Sequence, residues 1–78
     1  MISGRQIRAA RALLGISAKD LANLSGLGWA TIQRYEAKDE LAAGQTEKVG
    51  ALKSTLEAQG IEFIGDPVTS PGVRLRQS

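Results

Sequence analysis

The stretch Ser17–Glu36, SAKDLANLSGLGWATIQRYE, constrains the fold more than any other part of the chain. It holds two short helical patterns with only Ser-Gly-Leu-Gly between them, so the chain must stop one helix, turn sharply and begin the next at once. Ser17 is placed to cap the first of the two. Asp20, three residues on, sets a carboxylate against the open N–H groups of that first turn. This helix is expected to run to about Ser25. Gly26 can take the left-handed conformation that ends a helix and redirects the chain. The next helix is expected from near Trp29 to around Ala37. Ala22, Gly26 and Ile32 fall four and then six residues apart. The small Ala22 lets the following helix cross close over its predecessor, and Ile32, with Leu21, Leu27 and Tyr35, supplies the buried side of the pair. Two helices held at a steep angle leave the outer face of the second free to project.

That arrangement is the helix-turn-helix solution, whose second helix fits the major groove of DNA. At about 100° per residue, Ile32, Tyr35 and Glu36 point inward, whereas Ala30, Gln33, Arg34 and Ala37 point away, with Trp29 on the flank. The flanking segments suit the same scaffold. Ser3 is a candidate N-cap for a first helix that runs to Leu14 and stops at Gly15. Its Ile7, Ala10 and Leu14 recur at helical spacing and should face the core, with Arg5 and Arg8 off that stripe. After the polar stretch KDELAAGQ, residues Thr46 to Gln59 read as a fourth helix with an apolar stripe of Val49, Leu52 and Leu56, stopped by Gly60. IEFI at 61–64 and VRLR at 73–76 then show the short alternation of strands, joined by the turn formers GDPVTSPG. In the hairpin reading, Ile61, Phe63, Val73 and Leu75 lie on the inner face, and Glu62 lies outward near Arg74 and Arg76. A loosely ordered tail is the alternative, because an isolated two-stranded hairpin is marginal and only packing on the helices would hold it.

Composition narrows the function classes. The chain of 78 residues suits one small domain, and 42% hydrophobic with 23% charged residues is ordinary for a soluble globular protein. It has no cysteine and no histidine, which removes thiolate metal sites, the commonest metal ligand and the usual general base. No catalytic residue, cofactor or metal is therefore expected. Asp39 and Glu40 are carboxylates, but an acidic pair in a loop is most often a solvated surface. No apolar run approaches the roughly 20 residues that span a bilayer, and the N-terminus shows no apolar signal block, so a cytoplasmic protein without membrane association is expected. Net charge is only +2, yet Arg5, Arg8, Arg11 and Lys19 come before the first acid at Asp20. A basic N-terminal third suits an anionic partner; a solvated helix face accounts for the same charges.

RAARALLGISAKDLANLSGLGWATIQRYE, Arg8 to Glu36, resembles without a gap the first three helices of the Cro/phage-repressor, or Xre-type, helix-turn-helix domains. LEAQGIEFI followed by PGVRLR resembles the ending of a short single-domain subgroup of that family. The resemblance implies a mainly α fold: a lambda-repressor-like helix-turn-helix bundle of four helices with a short C-terminal β-hairpin. Residues 1–60 would form the DNA-binding domain and 61–78 a hairpin packed on it. It implies a sequence-specific regulator of transcription, a repressor by expectation, that binds a palindromic double-stranded DNA operator as a homodimer. The dimer would form through the fourth helix or the open edge of the VRLR strand. In the family an arginine late in the first helix pairs with a glutamate ending the third, and Arg11 and Glu36 match those positions. A protein-interaction module on the same scaffold, such as an antitoxin-like partner of another protein, is the alternative.

On this reading the base-contacting residues are Trp29, Ala30, Gln33 and Arg34. Gln33 can offer a paired donor and acceptor to adenine, Arg34 can reach guanine or a phosphate, and the Ala30 methyl can meet a thymine methyl. Trp29 has two readings, an indole lying along the DNA backbone or a partly buried anchor folded back on the domain. Backbone contacts are expected from Ser17, Ala18 and Lys19, at the N-terminus of the second helix, and from Lys38. Three positions depart from the family pattern. Gly28 stands where the third helix usually has a Ser or Thr cap, and Ala18 where relatives often carry a polar side chain that holds a phosphate. Asp39 and Glu40 follow Lys38 in a loop that normally approaches the DNA backbone, where acids repel. Weak intrinsic affinity, or help from a second subunit, is the expected consequence.

Overall fold

The computed structural model of the chain describes residues 1–39 and 47–76. In order these form α1 (Gly4–Leu14), α2 (Ala18–Ser25), α3 (Trp29–Glu36), α4 (Glu47–Ala58), β1 (Ile61–Ile64) and β2 (Gly72–Leu75). The fold is mainly helical with one small antiparallel sheet. Among the described residues no helix is long and apolar enough to cross a membrane.

The helix ends follow from local chemistry. Ser3 caps α1 through a full capping box: its hydroxyl accepts the Gln6 N–H, and the Gln6 side chain accepts the Ser3 N–H at 3.1 Å. Gly15 ends α1 with φ 68°, and Gly26 ends α2 with φ 75°, both in the left-handed region that a glycine enters without steric cost. Between α2 and α3 the Ser25 hydroxyl accepts the Leu27 N–H at 3.3 Å, which tightens the turn. Gly28 precedes α3 with no side-chain cap. The third helix ends at Glu36 with Ala37 as its C-cap, one residue short of the expected end. The fourth begins at Glu47; Thr46, the expected start, lies outside the described residues, as does Glu40. The second strand begins one residue early, at Gly72, and Arg76 lies just past it, although its N–H still bonds the Gly60 carbonyl at 2.8 Å.

One apolar core joins all the elements. Ile7 and Ala10 of α1, Leu21 and Ala22 of α2, Ile32 and Tyr35 of α3, Val49, Leu52 and Leu56 of α4 and Ile61 of β1 are buried together, with Leu14, Leu27, Phe63, Val73 and Leu75 packed at its margin. Ile2, ahead of the first helix, is also fully buried in it, a position that periodicity cannot reveal because it lies outside any repeating element. Each such Leu or Ile contributes about 1.5–3 kcal/mol of transfer free energy.

The hairpin owes its order to this core and to one polar bridge. The register pairs Ile61 with Leu75, Glu62 with Arg74, Phe63 with Val73 and Ile64 with Gly72. The Gln6 side chain, 2% exposed, donates to the Gly72 carbonyl at 3.0 Å and to the Ile64 carbonyl at 3.4 Å while it completes the cap of α1. The outward Glu62 bonds Arg74 at 2.6 Å and lies 3.4 Å from Arg76. In the connecting turn the Asp66 carboxylate accepts the N–H groups of Val68 and Thr69 at 2.9 Å each. Those bonds, the one from Thr69 first, hold its carboxyl below the usual range.

Gly4 marks a close approach between two helices. A Cβ there would sit 1.8 Å from the Lys38 carbonyl oxygen and 2.6 Å from that of Tyr35, so α1 and the end of α3 can meet only over a bare backbone. Gly50, in the middle of α4, has nothing within 4 Å of an added Cβ. Opposite outcomes are expected from one substitution. Gly4→Ala should lose at least about 2–3 kcal/mol of unfolding free energy in urea, by steric overlap with main-chain atoms that cannot rotate away. Gly50→Ala should gain about 0.5–1 kcal/mol from helix propensity. Equal stability of the two variants would contradict this packing.

Candidate functional site

The site is built on the rotation of α3 about its own axis. Ile32, Tyr35 and Glu36 are buried, which turns Trp29, Ala30, Gln33 and Arg34 to the outside, where all four are exposed. Trp29 is 56% exposed, and more than half of a large indole lies open at the start of the helix. The Arg34 guanidinium lies 5.7 Å from the centroid of the Tyr35 ring, within cation–π range. Five of the six arginines form ion pairs with Asp39, Glu36 or Glu62. Arg34 is the exception among the described residues, and its planar fork of donors remains open on the outer face of α3.

Two arginines of α1 hold α3 in that rotation. Arg11 meets Glu36 with two parallel bonds, Nε to Oε2 at 3.0 Å and Nη2 to Oε1 at 2.9 Å. The Glu36 side chain is 7% exposed and that of Arg11 27%. The hydrogen bond to Glu36 raises the Arg11 pKa above its ordinary value. The third donor group of Arg11 bonds the Ile16 carbonyl at 3.3 Å, which ties the α1–α2 turn to the same guanidinium. Arg8 donates to the Glu36 main-chain carbonyl and, with its other Nη, to Asp39. Arg5 also reaches Asp39, at 3.3 Å.

The N-terminus of α2 is less uniform than its sequence suggests. Ser17, Ala18 and Lys19 do not contribute alike. Ala18 is 7% exposed and its methyl lies in the core, so it can meet a partner only through its main-chain N–H. The Ser17 N–H is already donated to the Asp20 carboxylate at 3.1 Å, and the Ser17 hydroxyl accepts the Asp20 N–H at 3.0 Å. Lys19 is exposed, and helical geometry leaves the N–H groups of Ala18 and Lys19 without intrahelical acceptors. The bonds from Ser17, the backbone one first, hold the Asp20 carboxyl below its usual range. Lys38, after α3, is exposed.

Asp39 departs most from expectation. It reads in the sequence as an acid that repels an anionic partner, yet two guanidinium groups converge on it. Their hydrogen bonds, that from Arg8 first and then Arg5, lower its pKa. The sequence offers no signal for this contact, because Asp39 lies more than 30 positions from either arginine. Among the described residues no group of three or more acidic, Cys or His side chains could hold a metal. Two open clefts lie nearby, one of about 390 Å³ lined by Arg5, Lys38, Asp39 and Val68, the other of about 280 Å³ lined by Arg5, Gln6, Ala9, Pro71 and Gly72. In comparisons with known proteins, no family model matches the chain and no curated protein matches it.

Two measurements check this arrangement. Glu36→Gln strands the Arg11 charge; because Arg11 is partly solvated, the cost should fall at the low end for a broken buried pair, about 3 kcal/mol. That corresponds to a fall in Tm of roughly 12 °C or more for a domain of this size, and an unchanged Tm would exclude the pairing. The depressed pKa of Asp39 means that its contact stabilises above the unfolded carboxylate value of about 3.9 and is lost as pH falls through the lower folded value. Asp39→Asn should therefore lose Tm less steeply than the wild type in acid below about pH 4. The slope should not vanish, since Asp20 and Asp66 are shifted in the same direction.

Proposed function

We propose that this chain is a sequence-specific double-stranded DNA-binding regulator of transcription, acting as a repressor, in which α2 and α3 form a helix-turn-helix and α3 enters the major groove. The single observation that carries the reading is the outer face of α3. Gln33 and Arg34, which forms no ion pair among the described residues, project from a helix whose inner face is locked, and both side chains can make the bidentate contacts that distinguish bases. The capped start of α2, the glycine turn and the exposed basic residues Lys19, in α2, and Lys38, after α3, also support it.

Within this reading Gln33 and Arg34 carry specificity, and the exposed Trp29 and Ala30 supply apolar contact at the entry of the helix. Lys19, Lys38, the Ser17 hydroxyl and the main-chain N–H groups of Ala18 and Lys19 set the position along the phosphates. A domain with so small a reading surface gains affinity by pairing, so a two-fold dimer on a palindromic operator with half-sites about 34 Å apart is proposed. Selection of bound sequences from a random DNA pool should return such a palindrome.

Mutants separate the two kinds of contact. Gln33→Ala or Arg34→Ala should cost about 1–3 kcal/mol on the selected site and relax preference at one base position. Lys19→Ala or Lys38→Ala should weaken binding alike on every sequence and reduce the slope of log K against log salt by about 1. Silent Gln33 and Arg34 variants, with lysine variants that abolish sequence preference, would rule out α3 as the reading helix. Salt-insensitive, stoichiometric capture of a protein would support the interaction-module reading instead.

A further inference from the structure

The larger of the two clefts lies where the start of α1 meets the segment that follows α3, and it is lined by two cations, Arg5 and Lys38, with the Asp39 carboxylate and the apolar Val68. Asp39 is the acceptor for both Arg5 and Arg8. All three members of the Arg5–Asp39–Arg8 cluster are more than a third exposed, and no buried pair fixes Asp39 in place. Exposed ion pairs contribute little to stability and exchange readily. Guanidinium forks bind a phosphate with the same parallel geometry that they use on a carboxylate. The carboxylate thus occupies the place that an anionic oxygen of a phosphodiester would take.

We propose that this cleft is a phosphate subsite for the DNA backbone in which Asp39 stands in for the phosphodiester and holds Arg5 and Arg8 back until a duplex displaces it. The inference rests on the DNA-binding reading above and adds a self-limiting device to it. Asp39 does not simply repel the backbone; it occupies the two arginines that would otherwise grip it. Non-specific affinity is thereby kept low, because the cluster is open to any DNA sequence. Lys38, beside the same cleft, supplies a third positive charge to an incoming phosphate.

The test compares Asp39→Asn with Glu57→Gln, which removes the same unit of charge from the exposed surface of α4. On a non-specific duplex, Asp39→Asn should steepen the slope of log K against log salt by about 1–2 and raise affinity roughly three- to tenfold near 0.1 M salt. Glu57→Gln should leave the slope at the wild-type value. Arg5→Ala added to Asp39→Asn should return about one unit of slope. A slope for Asp39→Asn no steeper than that of Glu57→Gln overturns the proposal. Asp39→Ser serves as the second variant if Asn disturbs the fold. A parallel arm uses inorganic phosphate alone and reads Tm at constant ionic strength. Phosphate should stabilise Asp39→Asn more than the wild type and lose that effect with Arg5→Ala. If neither protein binds any duplex, the DNA-binding reading fails by itself. The phosphate arm then decides the subsite, and no stabilisation of Asp39→Asn overturns it.

Discussion

An ionised carboxylate at the inner side of a helix cannot be left alone, and in this chain that requirement organises everything around Glu36. Its side chain takes two bonds from Arg11, and its main-chain carbonyl takes one from Arg8. Both arginines belong to α1, three residues apart, so the last residue of α3 is gripped from one face of one helix. Pairs of this kind add little net stability over an apolar replacement, but they penalise every rotation or slide that separates the charges. Here the degree of freedom removed is the rotation of α3 about its axis. Burial of Ile32 and Tyr35 sets that rotation coarsely, and the fork of Arg11 sets it finely.

The same demand for close fit recurs where a chain of this size has least material. Gly4 lets α1 approach the carbonyls of Tyr35 and Lys38, which brings Arg5 and Arg8 within reach of the segment after α3. Gln6, one helical turn from Ser3, satisfies the cap of α1 and two hairpin carbonyls at once. A buried amide that bridges two elements costs little when all its bonds are made and a good deal when one is lost. The hairpin is therefore a continuation of the helical core, held by Ile61, Phe63, Val73 and Leu75 on one side and by Gln6 at its end.

What could be read in advance was what acts within one turn of chain. Ser17 with Asp20, Gly15, Gly26 and the stripes of α1 and α4 declare themselves at spacings of three to seven residues, and the structure places them in those roles. The alternation of IEFI and VRLR likewise marked the inner face of the hairpin, and Glu62 meets Arg74 and Arg76 across it. The contacts that escaped notice join distant positions or fall outside any period. Ile2 precedes the first helix, and Gln6 looks like an ordinary polar residue on α1. Asp39 meets arginines more than thirty residues away. Ala18 joins the two kinds of signal: its place at a helix start suggests a contact through its main-chain N–H, while its small apolar side chain is buried in the cluster that holds Leu21 and Ala22.

The arginines show how these constraints converge on the surface of α3. An arginine near a carboxylate is drawn into a fork, and this chain supplies Glu36, Asp39 and Glu62 as acceptors for five of them. Only a residue kept away from every carboxylate retains an open guanidinium. Among the described residues Arg34 meets that condition because the locked rotation of α3 turns it outward, on the side opposite Glu36, with the Tyr35 ring as its neighbour. An open fork beside Gln33, on a helix that cannot roll, is preorganised for a planar, polar partner, since little rotational freedom remains to be lost on contact. The internal pairs thus do more than hold the fold together. By engaging the other arginines they leave the outer face of α3 as the place where this chemistry is still available.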